Sequence, residues 1–483
     1  MPFPEFVKGF ADADTLEPGS EVFYLPLVPV MMILEDCIMH YLLSLKGVGN
    51  NPHACGIKYF RVLVVHLFYV VSSGHPGSVF TYMTAGITFC CSIDENFFKF
   101  VDTLKQIYLK IYIMTAAELH KEAFVLDSHC DTPLAIIRGQ DVSKRRKLGH
   151  IDFDRLKDGG VDGVFFAAYT SNSLSPDEAT RRALQLVALT HEVIDENPKK
   201  VGLATTVREA RELKAQGRTA IFIGLENGSP IQKDLSLLKL FYKMGVRYMT
   251  LTHAGNNEIC DSCAPKEKRW GGVSPFGKEV IALMNKLGMM IDVSHLSDES
   301  FYDCLKYSKA PIVATHSCCR ALCNHPRNMT DQMIKDLAAA GGVIQINFYS
   351  SFIDPNYSKV AGDLCDEFDE AIIDYQLHPR CKRRKERYEK AYEALYSTPR
   401  PSYKVLVDHI DHVVKLVGVK HVGLGSDFDG IESPPAGLED ASKFGVITEE
   451  LKLRGYSDED IKCILGENFL RVMNQVEAVA YTL

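Results

Sequence analysis

Residues 125–133 read VLDSHCDTP, with an imidazole, His129, and a carboxylate, Asp131, two positions apart at the end of an apolar run. In a strand, residues i and i+2 face the same side, so both groups are expected to point together past the strand end. Such a pair suits metal ligation or a structural hydrogen bond, and a lone H-x-D does not decide between them. The pattern recurs, however. Glu226 ends TAIFIGLE, His253 ends VRYMTLTH, His295 ends MMIDVSH, His316 lies in PIVATHS and Asp427 in HVGLGSDFD. Buried imidazoles and carboxylates are costly without partners, and a cation shared among them removes that cost. Nitrogen and oxygen donors with no thiolate suit a catalytic Zn²⁺ site. The five donors His129, Asp131, Glu226, His295 and His316 exceed one tetrahedral set. Two ions about 3.5–4 Å apart, bridged by a carboxylate, accommodate them. Glu226, on a strand between the first and the later histidines, is the natural bridge.

The elements that must position these groups are short apolar runs separated by helix-like stretches. The runs cover 124–131, 161–169, 219–226, 246–253, 289–295, 311–317, 343–349 and 421–429. Strands alternating with helices imply parallel βα units, and eight imply a closed (β/α)8 TIM barrel, an α/β fold whose strand ends converge on one mouth. VSPFGKEVIALMNKLG and SYKVLVDHIDHVVKLVG have helical apolar spacing and end at Gly288 and Gly418.

The boundary of this pattern lies near residue 114. Thr115 and Glu118 form a Thr-x-x-Glu capping box that opens a helix just before the first strand. Residues 114–483 therefore read as a (β/α)8 domain, and 1–113 as an N-terminal extension without an assignable role. Two apolar runs in that extension, 62–71 and 80–93, read as buried core segments, with a weak hairpin-like membrane association as the alternative; the first is half a bilayer long.

Over 483 residues the chain carries 54 basic and 62 acidic residues, a formal net charge of −8, which disfavours nucleic acid or an anionic membrane as partner. Fourteen cysteines without a regular framework read as free thiols in a reducing compartment. With no basic leader and no hydrophobic tail, a soluble, cytoplasmic protein is expected.

Taken in order, DSHCDTP, GLENGSPI, YMTLTHAGNN, GVSPFGKEVIALMNKLGMMIDVSH, ATHSCCRALCNHPRNM and DHIDHVVKLVGVKHVGLGSDFDG resemble the motifs of the membrane (renal) dipeptidase family, peptidase family M19. The resemblance covers roughly residues 115–475. It implies a zinc-dependent dipeptidase with two Zn²⁺ per chain: His129, Asp131 and Glu226 on one, and Glu226, His295 and His316 on the other. It implies that His253 meets the substrate carbonyl, that Arg327 pairs with the substrate's free carboxylate, and that Asp427 relays a proton to the departing amine. It also implies a dipeptide substrate, tolerance of a D-residue at the C-terminal position, β-lactam cleavage in some members, and a homodimer. Departures from the mammalian members fit a microbial-type soluble enzyme. Cys323 lacks a cysteine partner near Pro355, and Phe352 stands where some members carry a carboxylate-binding tyrosine. The stretch 354–404 reads as an insertion over the mouth.

Two other readings compete. Another amidohydrolase-type barrel, a deacylase or lactonase, commonly opens with H-x-H and a lysine bridge, where this chain has H-x-D and Glu226. A catalytically silent binding homologue would not need all these positions intact. His120, His150, His191, His409, His412 and His421 read as structural, as do Asp429 and Cys130, and Trp270 as shaping a loop near the substrate.

Overall fold

The computed structural model describes residues 114–378 and 380–482, together with two short antiparallel strands, Tyr82–Thr84 and Ile87–Phe89. The rest of the expected extension, including the apolar run at 62–71, lies outside the described residues. Ile113–Leu483 forms one compact unit, and among the described residues no helix is long and apolar enough to cross a membrane.

Nine parallel strands follow: β1 Leu126–Cys130, β2 Gly163–Tyr169, β3 Val201–Leu203, β4 Thr219–Glu226, β5 Val246–Thr250, β6 Met290–Asp292, β7 Val313–Ser317, β8 Val343–Ile346 and β9 Val422–Leu424. Eight of them run in the order β9-β8-β7-β6-β5-β4-β2-β1, and β3 pairs with β4 off this path. The ladder of β2 with β4 is continuous from Gly163 opposite Ala220 to Tyr169 opposite Glu226. The two end strands meet through a bridge between Cys130 and Phe428. Asp131 N–H donates to Phe428 O and Asp427 N–H to His129 O. Asp127, wholly buried, reinforces this seam by accepting from Ser426 N at 2.8 Å and from Ser426 Oγ. The result is the expected (β/α)8 barrel. The strand β3 was not anticipated, because three residues between helices carry no periodic signal.

The helices start and stop where their side chains dictate. Thr115 caps Ala116–Glu122 in a reciprocal box with Glu118. Pro275–Leu287 begins at the Ser274 cap and ends at Gly288, whose φ of 74° only glycine adopts freely. One face of the sheet packs on this ring of helices. The other holds Leu126, Phe165, Phe222, Tyr248, Met290, Val313 and Val343, together with Phe469, Leu470 and Met473 of the last helix, Asn468–Ala480. Phe165 stacks on Phe222 at 4.6 Å. Met290, Val313 and Val343 begin their strands, so the last helix seals the end of the barrel opposite the strand termini that carry His129 and Glu226.

The insertion expected at 354–404 is a pair of helices, Pro355–Leu377 and Lys382–Ser397. They share a small core of their own, including Tyr357, Phe368 and Leu395. Tyr396 Oη meets His150 Nε2 at 3.2 Å, and His150 Nδ1 accepts from Asp429 N, so the pair is tied to the loop that carries Asp427.

Candidate metal centre

The strand-end groups anticipated from sequence converge, but not all from strands. His129, Glu226 and His316 lie within β1, β4 and β7. His253, His295 and Asp427 each follow a strand by three residues. His295 and Asp427 adopt φ of 70° and 61°. Such left-handed residues turn the chain out of the ladder, so the strand ends earlier than its apolar run suggests. Asp131 is likewise not in β1. It occupies the N-cap position of Thr132–Ile137, with Pro133 in the first turn, yet its side chain makes no capping bond. The carboxylate turns instead toward His129, at 3.7 Å from Nε2. The i, i+2 pairing holds although the strand does not reach Asp131.

Glu226 is the centre of the constellation. Its Oε2 lies 3.4 Å from His129 Nε2. Its Oε1 lies 3.2 Å from His295 Nε2, 3.4 Å from His316 Nε2 and 3.8 Å from His253 Nε2. Asp427 Oδ1 is 3.9 Å from His129 Nε2, and Asn347 Nδ2 donates to Asp427 Oδ2 at 2.8 Å. The donor atoms of His129, Asp131 and Glu226 could share one ion, and those of Glu226, His295 and His316 another; His129, His316 and Asp427 form a third such set. Arg327 donates from Nη2 to His316 O at 3.0 Å.

The donor set fits a divalent cation. His129 Nε2 and Asp131 Oδ1 are buried with no hydrogen-bond partner, a cost that a ligand ion removes. His295 and His316 set their Nε2 atoms 2.9 Å apart. Burial and the neighbouring Glu226 carboxylate push Asp131 up to about 8. Burial would lower His129, but Glu226 and Asp131 override it and hold that imidazole well above its usual range. Burial, Arg327 and His253 hold His295 well below its usual range. These opposed demands disappear when a cation takes up the carboxylate charge and the imidazole lone pairs.

Side chains without chemistry of their own shape the centre. Tyr248 reaches across the barrel to place its hydroxyl 2.7 Å from His129 Nδ1. Gly224 makes this possible, since a Cβ there would stand 2.2 Å from the Tyr248 ring. Ser262 Oγ donates to the carbonyl of His253 and lies 3.2 Å from that of His295. The Asp261 carboxylate gathers the backbone N–H groups of Arg269, Trp270, Gly271 and Gly272, so the Trp270 loop is organised around Asp261. Asn347 and Tyr248 were not anticipated from sequence, because their partners are distant in the chain, and Ser262 was not because its bonds depend on how two loops fold together. At Gly430 a Cβ would stand 2.1 Å from Asp131 Oδ2 and 2.9 Å from Asp427 Oδ1. Gly430→Ala is therefore expected to displace both carboxylates and lower metal retention on dialysis while leaving the fold intact by circular dichroism; full retention would contradict this close fit.

The residues read as structural have structural partners. His120 spans Thr448 Oγ1 and Gly159 O, and His409 contacts Cys319 N and Ile353 O. Asp429 accepts from Thr132, Arg146 and His150 N. Cys130 is packed in the core, and Cys260, Cys263 and Cys323 are free thiols.

The fold agrees with what known proteins show. The model of the membrane dipeptidase family, peptidase family M19, matches residues 113–483. Dipeptidase verJ of Clonostachys rogersoniana is 33% identical over 382 residues, 76% of this chain and 87% of that protein. Dipeptidase aclJ of Aspergillus oryzae is 33% identical over 343 residues, 69% of this chain and 72% of its own. Among solved structures, the probable dipeptidase PvdM from Pseudomonas aeruginosa superposes with a TM-score of 0.66 at 31% identity, over 75% of this chain and 98% of that one. A metallopeptidase from Rhodobacter sphaeroides, at 23% identity and a TM-score of 0.62 over 73% of this chain and 99% of that one, shares the fold. Across the whole of its barrel, then, the chain belongs to the membrane dipeptidase family, peptidase family M19, and is a metallo-dipeptidase.

Proposed function

We propose that the chain hydrolyses dipeptides, and that His129, Asp131, Glu226, His295 and His316 would hold two Zn²⁺, with Glu226 belonging to both donor sets. The observation that carries this is the position of Glu226, whose two oxygens lie within 3.8 Å of four imidazole nitrogens. Held there, the cations would supply a water acidified toward neutrality and polarise the scissile carbonyl. His253 is held neutral, lowered to about 4 chiefly by burial. It offers an N–H to the carbonyl oxygen, where negative charge develops. Asp427, with one oxygen held by Asn347 and the other facing the centre, takes the proton of the attacking water and passes it to the leaving amine. We assign the barrel of 114–483 as the catalytic domain, acting as a homodimer.

Arg327 has a reserved binding capacity. One nitrogen is spent on His316 O, while Nε and Nη1 are buried without partners. These unspent donors on a fixed positive charge suit a terminal carboxylate and would set substrate length, because a longer peptide has no carboxylate there. The Phe352 ring lies under the guanidinium at 5.5 Å and offers no hydroxyl, so the carboxylate depends on Arg327. Arg327→Met is expected to raise KM about 10- to 100-fold, roughly 1.5–3 kcal/mol of charge-assisted hydrogen bonding, with a smaller effect on kcat. A KM unchanged from the parent would remove Arg327 from substrate binding.

Chelator-treated protein should lose hydrolysis of L-Ala-L-Ala and L-Ala-D-Ala and regain it with Zn²⁺, and the corresponding tripeptides should remain intact. Undiminished turnover after metal removal would overturn the proposal. Cleavage of the L-Ala-L-Ala substrate alone would restrict it to L-residues.

A further inference from the structure

An imidazole ligates a cation only through a bare nitrogen, so each ligand histidine needs its proton on the other ring position. For His316 the surroundings decide which. Its Nε2 faces Glu226 Oε1 and His295 Nε2, and its Nδ1 lies 2.8 Å from Thr315 Oγ1. That hydroxyl also lies 2.7 Å from Asp292 Oδ2. Asp292 ends β6, is fully buried and is surrounded by donors. Thr250 Oγ1 donates to Oδ2 at 2.6 Å. The backbone N–H groups of Ser294 and Thr315 donate to Oδ1 at 3.0 and 2.9 Å.

Proton bookkeeping then leaves one arrangement. A carboxylate only accepts, and a hydroxyl has one hydrogen. The hydrogen between Thr315 and Asp292 therefore belongs to Thr315 and is spent on Asp292. Thr315 Oγ1 is left to accept, and its partner is the N–H at His316 Nδ1. The bare nitrogen is Nε2, the atom aimed at Glu226. His129 differs, because the Tyr248 hydroxyl at its Nδ1 can donate or accept and sets no tautomer by itself.

We propose that Asp292 and Thr315 are positioning residues that lock His316 in the Nδ1-protonated form and thereby tighten the cation site of Glu226, His295 and His316. The inference rests on the metal reading given under Proposed function and deepens it. A β6 carboxylate acts on a β7 ligand through a neighbouring hydroxyl and touches neither substrate nor ion. Thr250, which donates to the same carboxylate but does not contact His316, serves as an internal comparison.

The test is metal binding, with turnover left aside. Chelator-stripped, folded protein is titrated with Zn²⁺ against a chromophoric chelator and, in parallel, with Co²⁺, whose visible absorption reports the ligand field. Thr315→Val keeps the shape and removes the relay. One of the two binding steps should weaken about 10- to 100-fold, with a changed Co²⁺ spectrum. Thr315→Ser should restore both the affinity and the spectrum, and Thr250→Val should leave them at parental values. If Thr315→Val does not fold, Asp292→Asn gives the same reading. Its amide can donate to Thr315 Oγ1, which frees the hydroxyl hydrogen for His316 Nδ1 and favours the wrong tautomer. Parental constants in these relay variants, or an equal loss in Thr250→Val, would overturn the relay while leaving two bound ions in the parent. A parent that binds no metal would overturn the metal reading itself.

Discussion

Glu226→Gln is expected to leave the chain with less than one bound metal after dialysis and to reduce kcat/KM for dipeptides by at least about 10³-fold, ~4 kcal/mol. The substitution preserves shape and removes one charge, yet that charge is what four imidazole nitrogens surround at 3.2–3.8 Å. His129, His295 and His316 would be left facing a neutral amide, and Asp131 would lose the carboxylate with which it could hold a cation. Electrostatic attraction between a divalent ion and a fully buried carboxylate is strong because little water screens it. Elemental analysis of dialysed protein, beside a hydrolysis assay, checks this. Retention of two equivalents with kcat/KM within tenfold of the parent would remove Glu226 from the bridging role.

Asp427→Asn should give the opposite pairing of effects: both ions retained and kcat reduced about 10²- to 10⁴-fold, the range for loss of a positioned acid–base group. The substitution is a clean one on backbone grounds. Asp427 sits at φ 61°, a region asparagine shares with aspartate and that most other side chains avoid, so turnover can fall without rearranging the loop. The side chain is 14% exposed, open enough to meet a substrate. Metal analysis and steady-state kinetics on one sample separate the outcomes. Loss of metal along with turnover would make Asp427 a ligand, as its proximity to His129 and His316 permits, and unchanged turnover would remove it from proton transfer.

The barrel was legible in sequence because parallel strands buried on both faces leave continuous apolar runs, and such runs marked all eight barrel strands. Where the runs overshot, the reason was conformational. VRYMTLTH, MMIDVSH and HVGLGSDFD continue in composition past the last ladder residue, but His295 and Asp427 turn at positive φ, which hydrophobic pattern does not encode. The convergence of the histidines and carboxylates was legible because such groups at successive strand ends have few other uses. Its bracing was not. The contacts of Tyr248 with His129 and Asn347 with Asp427 span 119 and 80 positions, and no local spacing announces them. The helical pair after residue 354 could be placed as an insertion, but its private core depended on how Phe368 and Leu395 fold against each other.

The seam between the first and last strands has a consequence for how the molecule is made. Asp127 and Ser426 are 299 positions apart, so a ribosome working at about 5–20 residues per second finishes the second roughly 15–60 s after the first. Throughout that interval β1 has one edge without its final neighbour. Closing so long a loop makes the ring a slow, late event, and the nascent half-barrel must be kept from sticking to other chains until its far edge emerges.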